Sequence, residues 1–123
     1  MNSEQAKHWV TNIYHDIWQG NNLDKFADYY HPQVIAHLDG QMIDYTQIKA
    51  HAFWQKEHIS ELVFDFKDFI ATENKIAFRL QSSGSKNNQQ HDWQIIAIYH
   101  LKADKIYRCW ALSNPRIDIT KQI

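Results

Sequence analysis

Glycine, proline and cysteine are scarce in this chain, with three, two and one among 123 residues. So few glycines and prolines exclude a loop-rich or low-complexity protein. The single cysteine, Cys109, cannot form an internal disulfide, which excludes a disulfide scaffold and suits a reducing compartment. No apolar run approaches the ~20 residues of a membrane-spanning helix. The first residues, Glu4 among them, carry no apolar signal core. Neither sign of charge dominates: the formal net charge is −1, with acids and bases interspersed. There is no basic stripe of the kind nucleic acid demands and no acidic tail. These absences predict a soluble, cytoplasmic protein of one domain, residues 1–123, with neither nucleic acid nor membrane as a partner.

Core material is ample. Hydrophobic residues make up 44% of the chain and aromatic ones 14%, with five tryptophans. A first helix is predicted from Ser3 as N-cap, with Glu4 where the helix dipole favours a carboxylate. Its stripe runs through Ala6, Trp9, Val10, Ile13, Tyr14, Ile17 and Trp18, and Gly20 ends it. Asn22 caps a second helix, Leu23 to Tyr30, which Pro32 stops by forbidding the α conformation at His31. Val34–Leu38 reads as a strand, turning at Asp39-Gly40 into Met42-Ile43. A third helix opens at Asp44, with Gln47 three residues on, and runs to about His58. It offers Tyr45, Ile48, Ala52, Phe53 and Trp54. Leu62–Ile70, Lys75–Ser82, Asp92–Leu101 and Lys105–Ser113 follow as strands. A polar loop, SSGSKNNQQ, and a tight turn at Ala103-Asp104 separate the last three. Helices first and strands last, without βαβ alternation, is an α+β layered design, with the helices on one face of an antiparallel sheet.

The last strands alternate between unlike faces. Ala77, Arg79 and Gln81 oppose Ile76, Phe78 and Leu80; Tyr107, Cys109, Ala111 and Ser113 oppose Ile106, Arg108, Trp110 and Leu112. A curved sheet whose polar or small-residue face lines a cavity accounts for that split. The opposite face then carries Ile76, Phe78, Leu80, Ile96, Ile98, Ile106, Trp110 and Leu112. Left wet, it exceeds the ~300–600 Å² patch usual for a monomer. A second copy across a two-fold axis is the simplest cover, so a homodimer through this outer face is expected.

In this order and spacing the segments YYHPQVIAHLDG, DYTQIKAHAFW, NKIAFRLQSSGS and DKIYRCWALSNP resemble the nuclear-transport-factor-2-like superfamily, in particular its SnoaL-like branch. The resemblance covers nearly the whole chain. It implies a cone-shaped half-barrel, three N-terminal helices packed on a curved sheet, with a deep pocket between the two and dimerisation through the outer face. Carried over position by position, it puts Ile35 and His37 of the first strand, Arg79 and Gln81, and Cys109 and Ala111 in the pocket. Relatives of this fold that open epoxides or close polyketide rings use a carboxylate on the last strand, where this chain has Ala111. Where epoxide hydrolases place an aspartate two residues after the arginine, this chain has Gln81. The fold hosts isomerases, cyclases, epoxide hydrolases, dehydratases and non-catalytic carriers alike.

His37 is then the candidate general base, since a histidine exchanges protons near neutrality; the plain alternative is a buried histidine bonded to tyrosine or backbone. Arg79, flanked by Phe78 and Leu80, needs an anion: either a ligand oxygen or a structural acid such as Asp39, Asp65 or Asp92. His91 and Trp93 share a strand face with Tyr99 and form a candidate rim, or else a loop-end histidine and a core tryptophan. Tyr14, Trp18 and Trp54 are candidate wall residues, with core packing as the alternative. Cys109 reads as a small packing residue, with no helix N-terminus or adjacent base to activate it. No metal and no organic cofactor is expected: the eight histidines lack ligand spacing, and His8/His15 and His51/His58 lie roughly 10 Å apart along their helices. No phosphate-binding glycine loop or nucleophile elbow is present. The expected function is a SnoaL-like pocket protein for a small apolar, cyclic or carbonyl-bearing molecule. As an enzyme it would catalyse proton transfer, cyclisation or hydration, with His37 as base and Arg79 and Gln81 steadying an oxyanion. The rival is a non-catalytic binding or dimerisation module.

Overall fold

A computed structural model of the chain describes residues 1–119. The first helix, α1 (Ser3–Ile13), is capped by Asn2 rather than Ser3. The Asn2 side chain accepts from the Gln5 N–H at 2.8 Å while Gln5 Oε1 accepts from the Asn2 N–H at 3.0 Å, so two orphan donors are satisfied reciprocally. The helix continues as a wider π-helical turn, Tyr14–Trp18, which brings Tyr14 and Ile17 into the core and buries the Asp16 carboxylate. The expected second helix is a 3₁₀ turn, Leu23–Lys25, followed by the one-turn α2 (Phe26–Tyr29).

Strand β1 (Tyr30–Leu38) turns through Asp39 and Gly40, both at positive φ, into β2 (Gln41–Asp44). Asp44 caps α3 (Tyr45–His58), and with Gln47 it completes the anticipated capping box. Then come β3 (Ser60–Ala71), β4 (Lys75–Lys86), β5 (Gln89–Lys102) and β6 (Lys105–Asn114). The segment expected as a polar loop is mostly strand, and only Asn87 and Asn88 turn the chain. The six strands form one curved, unclosed sheet in the order β2-β1-β6-β5-β4-β3, with the helices packed on it as a cone. The sheet is mixed rather than wholly antiparallel, because β1 runs parallel to β6.

Register corrects the faces expected for β4 and for part of β1 and β6. Ile76, Phe78 and Leu80 pair with Tyr99, Ala97 and Ile95 of β5. Paired residues share a face, and this face meets the helices: Ile76, Phe78 and Leu80 are buried with Val10, Ile13 and Ile17. Arg79 and Gln81 therefore point outward. At the start of β6 the pairing steps from Leu101–Ile106 to His100–Arg108, so Tyr107 is an extra residue. That bulge lets Ile106 and Cys109, three positions apart, both turn inward. The outer face keeps Ile96, Ile98, Trp110 and Leu112 exposed, Leu112 at 69%.

Candidate active site

The cavity begins with helical spacing. Ile48, His51 and Gln55 recur at three and four residues along α3 and face the sheet, with Ile48 and His51 buried. Opposite them β5 presents Ile95, Ala97 and Tyr99, and β6 presents Cys109 and Ala111. The end of the first helix adds Tyr14 and Trp18. Together they enclose an inner chamber of about 90 Å³. Through a throat shared by His51, Gln55, Phe64, Ile95 and Ile117 it adjoins an outer vestibule of about 350 Å³. Trp54, Lys86, His91, Trp93, Arg116 and Asp118 line that vestibule.

Three tyrosines converge at the chamber. Tyr99 interacts with both Tyr14 and Tyr30, and the Trp18 ring packs edge-on against that of Tyr30. Burial above all, then repulsion from an ionised Cys109 beside Tyr14 and Tyr30 and from ionised Tyr14 and Tyr30 beside Tyr99, holds all three phenols well above their usual acidity range. They therefore keep their protons and remain hydrogen-bond donors. Burial likewise pushes the Cys109 thiol up to about 12, so it lines the wall as a small apolar group and not as a nucleophile. Trp18 is the hub: its ring lies 5.5 Å from that of His51 and 6.5 Å from those of Tyr14 and Tyr30. Among the described residues the one carboxylate lining the chamber is Asp39. Its oxygens accept from the backbone N–H groups of Ser113 at 2.7 Å and Ile117 at 3.0 Å, which commits it to holding the β6 exit in place.

The structure separates the residues expected together. Tyr14, Trp18, Tyr99, Cys109 and Ala111 line the chamber, and Trp54, His91 and Trp93 the vestibule. His37 and Ile35 do not face it: they lie on the outer face, since Val34, Ala36 and Leu38 take the inward positions of β1. Arg79 Nε donates to Asp68 Oδ2 at 2.8 Å on that outer face, a structural acid other than the three anticipated, and Gln81 lies beside it, exposed. The expected His37–Arg79–Gln81 constellation in the pocket is thereby corrected. His51, Gln55 and Tyr30 were missed. A signal for the first two existed, because they continue the α3 stripe of Ile48 and Ala52.

A mixed-sheet cone with a helix-roofed cavity is the nuclear-transport-factor-2-like architecture. The model for SnoaL-like polyketide cyclases matches residues 8–123, and the chain belongs to that family. Among solved structures it is similar to IdmH from Streptomyces antibioticus, at 12% identity and TM-score 0.77, over 96% of this chain and 97% of that one. It is also similar to TsrD from Streptomyces laurentii, at 10% identity and TM-score 0.77, over 90% of each chain. A SnoaL-like polyketide cyclase from Agrobacterium tumefaciens matches at 14% identity and TM-score 0.70, over 85% of this chain and 87% of that one. Identities this low speak for the fold alone. No curated protein matches the sequence. No helix among the described residues is long and apolar enough to cross a membrane.

Proposed function

We propose that the chain binds a small, largely apolar, carbonyl-bearing molecule in the chamber and vestibule and moves a proton next to that carbonyl. One observation carries this reading: a histidine, His51, and three buried tyrosines line the same apolar cavity. The protonated phenols offer donors to a carbonyl oxygen on which negative charge develops, in a site that water enters poorly. His51, at the throat, serves as the base that removes and returns the proton. At about 350 Å³ the vestibule reaches the lower end of the ~300–1,000 Å³ range of small-molecule sites, while the chamber admits only the carbonyl end of a ligand.

The test is exchange of the α-protons of 2-tetralone in D₂O, followed by NMR. The wild-type protein is expected to accelerate exchange, His51→Ala to lose about 10²-fold or more, and Tyr99→Phe to lose part of it. Equal exchange by wild type and His51→Ala overturns proton transfer. Binding without exchange supports the rival non-catalytic module, which the engagement of Asp39 by backbone amides favours. We also infer a homodimer through the outer face, where Ile96, Ile98, Trp110 and Leu112 form an exposed apolar band. Ile98→Lys is expected to turn a dimer into a monomer by sedimentation, and a monomeric wild type rejects the inference. A reducing compartment such as the cytoplasm suits the free thiol of Cys109.

A further inference from the structure

We infer that the ligand is an anion, an aromatic acid whose carboxylate rests at the vestibule mouth while its other end enters the chamber. This deepens the reading of the cavity as a small-molecule site and rests on it. Among the described residues the vestibule wall carries two full cations, Lys86 and Arg116, against one carboxylate, Asp118. That carboxylate sits 3.5 Å from Arg116. Lys86 has no carboxylate within ion-pair distance among the described residues; its ammonium sits 5.1 Å from the centre of the Trp54 ring, at the edge of the cavity. Glu57 and Glu61 line a neighbouring polar cleft and not the vestibule. The chamber has the opposite character, with mostly apolar walls; its one carboxylate among the described residues, Asp39, is held by the backbone N–H groups of Ser113 and Ile117, next to Arg116, whose Nε donates to the Asp39 carbonyl at 3.2 Å.

Among the described residues the cavity thus passes from a mostly apolar interior to a mouth where Lys86 is paired with no carboxylate. A molecule with an apolar body and one negative end matches that gradient in one orientation only, anion outward. Trp54 and Trp93 supply flat walls for an aromatic body between the two ends. A carboxylate beside Lys86 gains a charge-assisted hydrogen bond without displacing any protein carboxylate. A neutral amide of the same shape keeps at most a single hydrogen bond to the ammonium and loses the attraction between full charges.

The test compares 2-naphthoate with its neutral isostere 2-naphthamide by quenching of tryptophan fluorescence, in wild type, Lys86→Gln and Ala111→Phe. Wild type is expected to bind the acid about fivefold more tightly than the amide at low salt, with Lys86→Gln and 0.5 M salt each erasing most of the difference. Equal affinities for the two probes, or a Lys86→Gln variant that weakens both alike, overturn the inference. If the chamber-filling Ala111→Phe abolishes binding of both equally bound probes, the cavity still stands as a ligand site and only the charge preference fails. If it leaves both unchanged, the probes bind elsewhere and both readings fail. Ala111→Leu replaces it should the phenylalanine variant lack a native circular-dichroism spectrum.

Discussion

The imidazole of His37 lies flat against the indole of Trp110, ring centroids 5.5 Å apart and planes 4° from parallel. The two are register partners on the parallel strands β1 and β6, and His100 of β5 closes on the same indole at 4.7 Å. This aromatic cluster belongs to the outer face, so the sheet itself separates His37 from the chamber. His37→Ala is therefore expected to leave α-proton exchange within about twofold of wild type, where His51→Ala removes it. A comparable loss in both variants would put the assignment of faces in error.

The order of helices and strands was legible because each has a period that its own residues display. The Asp44/Gln47 cap was legible because capping is chemistry between near neighbours. The inner face of β4 was not. Clean alternation of Ile76, Phe78 and Leu80 with Ala77, Arg79 and Gln81 says that two faces differ, not which is covered. Partners on β5 decide that, and Phe78 goes inward because Ala97 does. Arg79, between Phe78 and Leu80, calls for an anion, and Asp68 supplies it in solvent, across a shift in the β3–β4 register that no local pattern announces. Composition misled in the same way at SSGSKNNQQ. Polar residues join a ladder as readily as apolar ones when β5 pairs with them, and Gly84 is needed where a Cβ would come within 2.6 Å of Ile59 Cγ2.

The tyrosines predict behaviour in alkali. Burial raises the pKa of Tyr14, Tyr30 and Tyr99, and burial together with the Asp16 carboxylate raises that of Tyr29 to about 12. A phenol that is harder to ionise when folded stabilises the fold fully below its unfolded value of 10.0. That contribution is lost as the pH climbs towards the folded value. Stability is thus expected to fall steeply between pH 10 and 12. Absorbance at 295 nm should show these four of the six tyrosines ionising together with unfolding, not before it. Ionisation of all six ahead of unfolding contradicts this.

Asp16 predicts the acid limb. Its carboxylate, buried at the π-helical turn, accepts from Tyr29 Oη at 2.5 Å, Asn22 Nδ2 at 2.8 Å and His15 Nδ1 at 3.2 Å, tying α1 to α2. Burial alone would raise its pKa, but these hydrogen bonds outweigh it and hold the group below its usual 3.8. A depressed carboxyl contributes its stability in full above that usual value and loses it as the pH falls through the folded one. Asp16→Ala is expected to cost about 2–4 kcal/mol at pH 7 by urea denaturation. The cost should shrink below pH 3.8, where the wild type is losing the same contribution. A loss independent of pH would assign Asp16 a packing role alone.

Gln55 predicts a gain in stability. Its Oε1 is buried without a hydrogen-bond partner among the described residues, one helical turn beyond His51, on a residue that lines both chamber and vestibule. An unmatched buried acceptor costs about 1–3 kcal/mol, and native proteins retain few of them. Methionine has nearly the same length and no acceptor to satisfy. Gln55→Met should therefore raise stability by about 1 kcal/mol, roughly 3–6 °C in Tm. If the acceptor is held for a ligand, the same variant should bind a hydroxyl-bearing ligand such as 6-hydroxy-2-naphthoate about tenfold less tightly, while the affinity for 2-naphthoate is unchanged. Stabilisation together with that selective loss marks the amide as part of the binding site. A lower Tm instead means that water already satisfies the oxygen in solution, and Gln55 then serves the fold.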